Sequence, residues 1–266
     1  MYYQAELDFA KNLAENAGKI MNRYFLSQDM GTTWKKDNTP ITVADTMIND
    51  LVISEVKKHF PKHGVLGEES SYKPERPMIW VVDPIDGTMP FSAGIPVCTF
   101  SLALVDRATG QSVIGVVFDP FLKHLYTSVI NTGAFLNDKQ IKTSKITTLK
   151  SAYLSVIGGS EDDIFKPGKC LDLMRDTGAQ YLSMMSSVYS ASKVATGDLA
   201  GGVFGYGSPW DSAAVSLLVQ EAGGKVTDLE GKPRRYDEWG NGCVFAANDV
   251  ILSKLLDIIS KSSSKS

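Results

Sequence analysis

Leu7, Ala10, Leu13, Ala14, Ala17, Ile20, Met21 and Tyr24 follow one another at three- and four-residue steps. A 3.6-residue period puts such positions on one face, so residues 4–25 are predicted to form an amphipathic helix. Residues 31–40 are polar and interrupt the pattern. Ile48, Leu51, Val52 and Val56 restore the helical step, predicting a second helix over 44–60. Thr42 or Asp45 stands near its start, where a side-chain oxygen can cap free N–H groups. Residues 61–77 show neither period and are read as mostly loop. Met78-Ile79-Trp80-Val81-Val82 is then an unbroken apolar run of strand length. Further apolar segments at 98–106, 112–119 and 123–129 follow closely with turn residues between them, which predicts an antiparallel meander.

The second half alternates differently. Strands are expected at 152–156, 181–183, 201–206 and 243–247, and helices at 165–177, 187–196, 210–222 and 249–259. This alternation predicts an α/β chain with layers of helix and sheet. A seam near residue 148 divides it into an N-terminal half, 1–148, and a C-terminal half, 149–266, packed as one unit. The serine-rich end, 261–266, is read as disordered.

At 266 residues with 43% hydrophobic and 21% charged positions, the chain can bury a sizeable core. Its 27 basic and 30 acidic residues leave a net charge of −3, which argues against a broad footprint for nucleic acid or anionic lipid. Cys98, Cys170 and Cys243 are scattered and odd in number, so buried free thiols are expected, not disulfides or a zinc ribbon. His59, His63 and His124 lie in polar segments and are expected at the surface. Acidic residues interrupt the N-terminal apolar positions, unlike a signal peptide. No run approaches the roughly 18 apolar residues of a membrane helix. The expectation is a cytoplasmic protein with no membrane partner.

The chemistry concentrates in carboxylates outside helix interiors. Asp83 and Asp86 bracket Pro84-Ile85 at the end of an apolar strand, Glu68 and Glu69 lie upstream in a Gly-Glu-Glu-Ser turn, Asp45 starts one helix and Asp211 another. Taken singly, each fits a cap or a turn. Gathered near a core, they would repel one another and hold their protons. A hard divalent cation removes that penalty, and oxygen ligands without His or Cys suit magnesium. Gly87-Thr88 adds backbone N–H groups able to approach an anion. Metal ligands beside an anion cradle point to phosphoryl chemistry, and the chain carries no P-loop motif.

Four segments carry a family resemblance: Asp37-Asn38-Thr39-Pro40-Ile41-Thr42-Val43-Ala44-Asp45; Gly67-Glu68-Glu69-Ser70; Trp80-Val81-Val82-Asp83-Pro84-Ile85-Asp86-Gly87-Thr88; and Trp210-Asp211-Ser212-Ala213-Ala214 with Glu221-Ala222-Gly223-Gly224. In order and spacing they resemble the inositol monophosphatase family of magnesium-dependent, lithium-sensitive phosphatases, over nearly the whole chain. The resemblance implies the layered α-β-α-β-α sandwich of the inositol monophosphatase and fructose-1,6-bisphosphatase superfamily, and a homodimer. It also implies two to three Mg2+ ions: one on Glu68, Asp83 and the Ile85 carbonyl, a second on Asp83, Asp86 and Asp211, and a weaker third reached from Glu68 through water. Asp45 and Thr88 would orient or deprotonate the attacking water. Gly87 and Thr88 would bind the phosphate, and Glu69 would support the ligands.

The leaving-group side departs from the family pattern. Phe204 stands where inositol-specific members place a Glu, Ser208 where a His is common, and Pro90 where an Asn is usual; Met185, Ser186 and Ser187 replace a Gly-Thr/Ser-Ala pattern. Phe204, Ser208, Ser186 and Ser187, with Asp86, are therefore the expected substrate contacts. The implied activity is hydrolysis of a small sugar or polyol phosphate, inositol 1-phosphate-like. Histidinol phosphate and 3′(2′),5′-bisphosphate nucleotides are alternatives on the same scaffold. A non-catalytic RNA- or polymerase-binding regulator is a distant alternative, disfavoured by the near-neutral charge and complete ligand set.

Overall fold

The computed structural model describes residues 3–36, 39–158 and 165–263. Helix α1 (Gln4–Tyr24) comes first, then a two-residue pair, β1 (Thr33–Trp34) and β2 (Pro40–Ile41), then helix α2 (Val43–His59). Strands β3 (Gly64–Gly67) and β4 (Met78–Asp86) pair in parallel, and the short helix α3 (Thr88–Ser92) follows. Antiparallel pairing continues through β5 (Thr99–Asp106), β6 (Gln111–Asp119), β7 (His124–Val129), β8 (Gly133–Leu136) and β9 (Lys139–Ile141). Strands β3 to β9 make one seven-stranded sheet in chain order.

The second half supplies β10 (Tyr153–Ile157), α4 (Pro167–Asp176), β11 (Gln180–Leu182), α5 (Ser187–Ala195) and β12 (Gly201–Phe204). Helix α6 (Ala213–Glu221), β13 (Lys225–Thr227), β14 (Cys243–Ala246) and α7 (Asp249–Ser263) complete it. Its five strands lie in the order β11-β10-β12-β14-β13, and the two main sheets part company between residues 141 and 153.

Alternation along β4 explains the layering. Ile79 and Val81 face one side of the large sheet, and Trp80 and Val82 the other. Both faces are buried, so the strand reads as a continuous apolar run. On the Trp80 side lie α1 and α2, through Leu13, Ala17, Ile48 and Val52. On the Ile79 side, Val188 and Ala191 of α5 and Val215 and Leu218 of α6 fill the space towards Phe204 and Phe245 of the small sheet. Met174 of α4 and Ile251 and Leu255 of α7 cover the far face of that sheet, against Leu154 and Val244. The five layers run helix, sheet, helix, sheet, helix, which is the sandwich expected.

Several expectations change. Strand β3 lies inside the stretch read as loop. Its glycines disguise it: a Cβ on Gly64 would stand 2.1 Å from the Lys73 carbonyl oxygen, so the close backbone passage excludes side chains. The helix expected from 210 begins at Ala213, which leaves Trp210 and Asp211 in the preceding turn. Helix α7 continues through Ser263, and residues 264–266 lie outside the described residues. His59 is exposed as expected, but His63 and His124 are half-buried, and His63 stacks on Phe60 with ring centroids 5.1 Å apart. All three cysteines are free and buried.

Candidate active site

Strand β4 carries Asp83 and Asp86 to one end of the large sheet. Its pairing with β5 shifts register between these two residues, where Pro84 supplies no N–H to the ladder. Gly87 then turns the chain at φ 86° into α3. A Cβ at Gly87 would stand 2.8 Å from the Val97 carbonyl oxygen and 2.9 Å from Ser186 Cβ. Gly87→Ala is therefore expected to destabilise the fold by at least about 1–3 kcal/mol, from left-handed strain plus contact, measured as a lowered denaturation midpoint. An unchanged midpoint would rule out this strain.

Asp83, Asp86 and Asp211 each offer a carboxylate oxygen within 4.8 Å of the other two. Asp83 and Asp86 are buried, and Asp83 Oδ1 has no hydrogen-bond partner. Burial, then the charges of Glu68, Asp86 and Asp211, push the Asp83 carboxyl well above the usual carboxylate range. Asp211 is pushed up to about 7 by burial and by Asp86 and Glu68, although Ser208 donates a hydrogen bond to it. Burial also raises Asp86, against five donors at the start of α5. These are the Ser186 hydroxyl, Ser187 N–H at 3.1 Å, Ser187 hydroxyl at 3.0 Å, Val188 N–H at 3.2 Å and Tyr189 N–H at 3.4 Å.

Glu68 follows β3 directly. Its Oε1 accepts from Lys35 Nζ at 2.7 Å, and Glu69 Oε1 accepts from the same ammonium at 2.6 Å. Burial pulls the Lys35 ammonium down, but the two glutamates outweigh it and leave it raised. Asp45 is fully buried at the first turn of α2, where Oδ2 accepts from Thr42 N–H at 2.7 Å and Thr42 hydroxyl at 2.6 Å. Burial pushes its carboxyl up to about 7 even so. Thr88 Oγ1 donates to the Ile85 carbonyl at 2.9 Å and lies 3.3 Å from Asp45 Oδ1, linking the buried acid to the cleft.

These groups line a cleft of about 540 Å³. Glu68, Asp83, Ile85, Asp86, Gly87, Thr88, Ser187, Ser208 and Asp211 all face it. Asp45 sits behind Thr88, and Glu69 reaches the site through Lys35. Ser186 is buried and spent on Asp86, so it supports a carboxylate and is not a leaving-group contact. Phe204 is a correction. Its neighbour Val203 faces the outer helices, so strand alternation turns Phe204 inward, where it is 2% exposed and packs on Phe245 at 5.2 Å between centroids. It belongs to the core and does not line the cleft. Asp37 and Asn38 of the first motif lie outside the described residues.

Sequence reading missed Lys35, Met89, Tyr206 and Trp239, which also line the cleft. For Trp239 a signal existed: a large aromatic residue in the polar segment Asp237-Glu238-Trp239-Gly240-Asn241 has no apolar pattern to join.

The model of the inositol monophosphatase family matches residues 3–264. The chain belongs to the inositol monophosphatase family. Among similar proteins, a histidinol-phosphatase from Chlorobaculum parvum is 32% identical, covering 91% of this chain and 92% of its own length. An inositol-1-monophosphatase from Mesorhizobium japonicum is 32% identical over 98% of both chains. A Nus factor SuhB from Pasteurella multocida is 32% identical over 95% of both. The solved structure of an IMPase from Thermotoga maritima superposes with a TM-score of 0.88 at 26% identity, covering 97% of this chain and 98% of that one. Membership makes this chain a phosphoric monoester hydrolase. Among the described residues, no helix is long and apolar enough to cross a membrane.

Proposed function

We propose that this phosphatase uses magnesium, held by Asp83, Asp86, Asp211 and Glu68 with the Ile85 carbonyl, to hydrolyse a small phosphate monoester. The observation that carries the reading is the Asp83–Asp86–Asp211 group, with Asp83 and Asp86 buried, Asp211 half-buried and one Asp83 oxygen unpartnered. Three crowded carboxylates, two of them kept from water, are costly without a cation, and an all-oxygen set suits a hard divalent ion. Bound there, magnesium would acidify a water and offset charge on the phosphate. Two to three ions are expected, with lithium as an inhibitor.

The chain's own residues supply the remainder. Thr88 Oγ1 faces the cleft and can pass its proton to Asp45 as it takes one from a water. Asp45, buried and held by Thr42 within hydrogen-bond reach of Thr88, is placed to take that proton. Ser186, Ser187 and the first N–H groups of α5 fix the Asp86 carboxylate, and Lys35 steadies Glu68 and Glu69. In this reading water attacks the phosphorus in line, the alcohol leaves, and no phospho-enzyme forms.

Sugar and polyol phosphates such as inositol 1-phosphate are the first substrate class. Histidinol phosphate is the second reading, favoured by the aromatic residues at the cleft mouth. The near-neutral charge supports an enzyme over a nucleic-acid-binding regulator. A cytoplasmic homodimer completes the proposal, the dimer being testable by sedimentation. The test of function is phosphate release across a panel of small monoesters. Release is expected to require added magnesium, to stop with chelator and to fall with lithium. Full activity in excess chelator would overturn the metal reading.

A further inference from the structure

The cleft has a wall unlike its acidic floor. Tyr206 and Trp239 are 50% and 67% exposed, and Met185 and Met89, which line the same cleft, are 40% and 46% exposed. Large apolar side chains left open together in a concave site usually receive something apolar.

Their placement is built into the backbone. Gly240 N–H donates to the Gly207 carbonyl at 2.8 Å. The buried Arg234 guanidinium donates to the same carbonyl at 2.5 Å and to the Gly242 carbonyl at 2.6 Å. These bonds clasp the segment carrying Tyr206 to the one carrying Trp239. The Tyr206 ring lies against Gly158, where a Cβ would meet ring atoms at 2.5–2.7 Å. Trp239 meets Trp210 edge-to-face, with centroids 5.3 Å apart and an 81° interplanar angle. Trp210 directly precedes Asp211, so the aromatic surface leads from the carboxylates to the mouth.

This wall offers a tyrosine hydroxyl and two indole N–H groups as its polar atoms. The faces of Trp and Tyr favour the stacking of a flat ring. A cleft of about 540 Å³ has room for a phosphate and a ring together.

We propose that Tyr206 and Trp239 form a leaving-group subsite for an aromatic or heteroaromatic ring, so that the enzyme favours phosphate monoesters whose alcohol carries one. The proposal rests on the phosphatase reading. Its test compares kcat/KM for 2-phenylethyl phosphate and propyl phosphate, both esters of primary alcohols, with magnesium present. The ring-bearing ester is expected to be favoured by about tenfold. Trp239→Ala and Tyr206→Ala should each cut that ratio severalfold, and Trp239→Phe should keep most of it. Melting curves should match wild type, since both side chains are largely exposed. Turnover with a ratio unchanged in both alanine variants would overturn the subsite alone. No turnover of either ester by the wild type would overturn the phosphatase reading and the subsite with it.

Discussion

Asp83→Asn is expected to lower turnover at saturating magnesium by at least about 10²-fold while raising the melting temperature of the metal-free protein. The two effects share one cause. Asp83 is buried, carries an oxygen with no hydrogen-bond partner, and faces the charges of Glu68, Asp86 and Asp211. Without metal that concentration of negative charge opposes folding; with metal it is the binding energy for the ion. An asparagine keeps the shape, removes one charge and can donate to Asp211, to which Asp83 is already hydrogen-bonded. Asp211→Asn should behave alike. A gain of about 1 kcal/mol would raise the melting temperature by roughly 2–4 °C in a chain of this size. Steady-state kinetics beside melting curves check both parts. Near wild-type turnover in either variant would remove that residue from the ligand set. A fall in metal-free melting temperature would mean that the carboxylates attract a stabilising partner instead of repelling one another.

The stability of the metal-free protein should fall as pH rises from about 5 to 8. Burial raises the carboxyls of Asp45 and Asp211 from 3.8 to about 7, and burial with the neighbouring charges also raises Asp83 well above the usual carboxylate range. The folded state therefore binds more protons than the unfolded state across this interval. More protons on the native side means that stability falls with rising pH, beginning above the unfolded value near 4 and levelling off above the folded value near 7. For Asp45 the shift from 3.8 to about 7 corresponds to roughly 4 kcal/mol once the group is fully ionised. The metal-free melting temperature should drop by roughly 5–10 °C over the interval, and magnesium should restore most of it at pH 8. Melting curves in chelator and in magnesium across pH measure this. A metal-free stability that is flat or rises with pH would contradict carboxyls raised by burial in this cluster.

The floor of the site was legible in the sequence because its residues leave the local pattern. Asp83 breaks an apolar run whose continuity already shows a strand buried on both faces, and Asp45 and Asp211 stand beside helix starts. The wall was not legible. Phe204 occupies a position where the family resemblance implies a substrate contact, yet which face of β12 it occupies depends on strand register, and it faces the core. Tyr206 and Trp239 come from segments more than 30 residues apart, and what joins them is a backbone hydrogen bond between two glycines and a buried arginine on carbonyl oxygens. Such contacts leave no periodicity. Strand β3 was hidden for a related reason, since close backbone approach demands glycine where a strand pattern needs side chains.

The most direct test is calorimetric titration of magnesium into metal-free wild type and Asp83→Asn, run beside phosphate release at each magnesium concentration. Wild type should bind at least two ions, with phosphate release rising only as the sites fill. Asp83→Asn should lose the tighter binding and the activity together. Identical binding isotherms for the two proteins, or phosphate release that begins before any magnesium binds, would contradict a magnesium site built on these buried carboxylates.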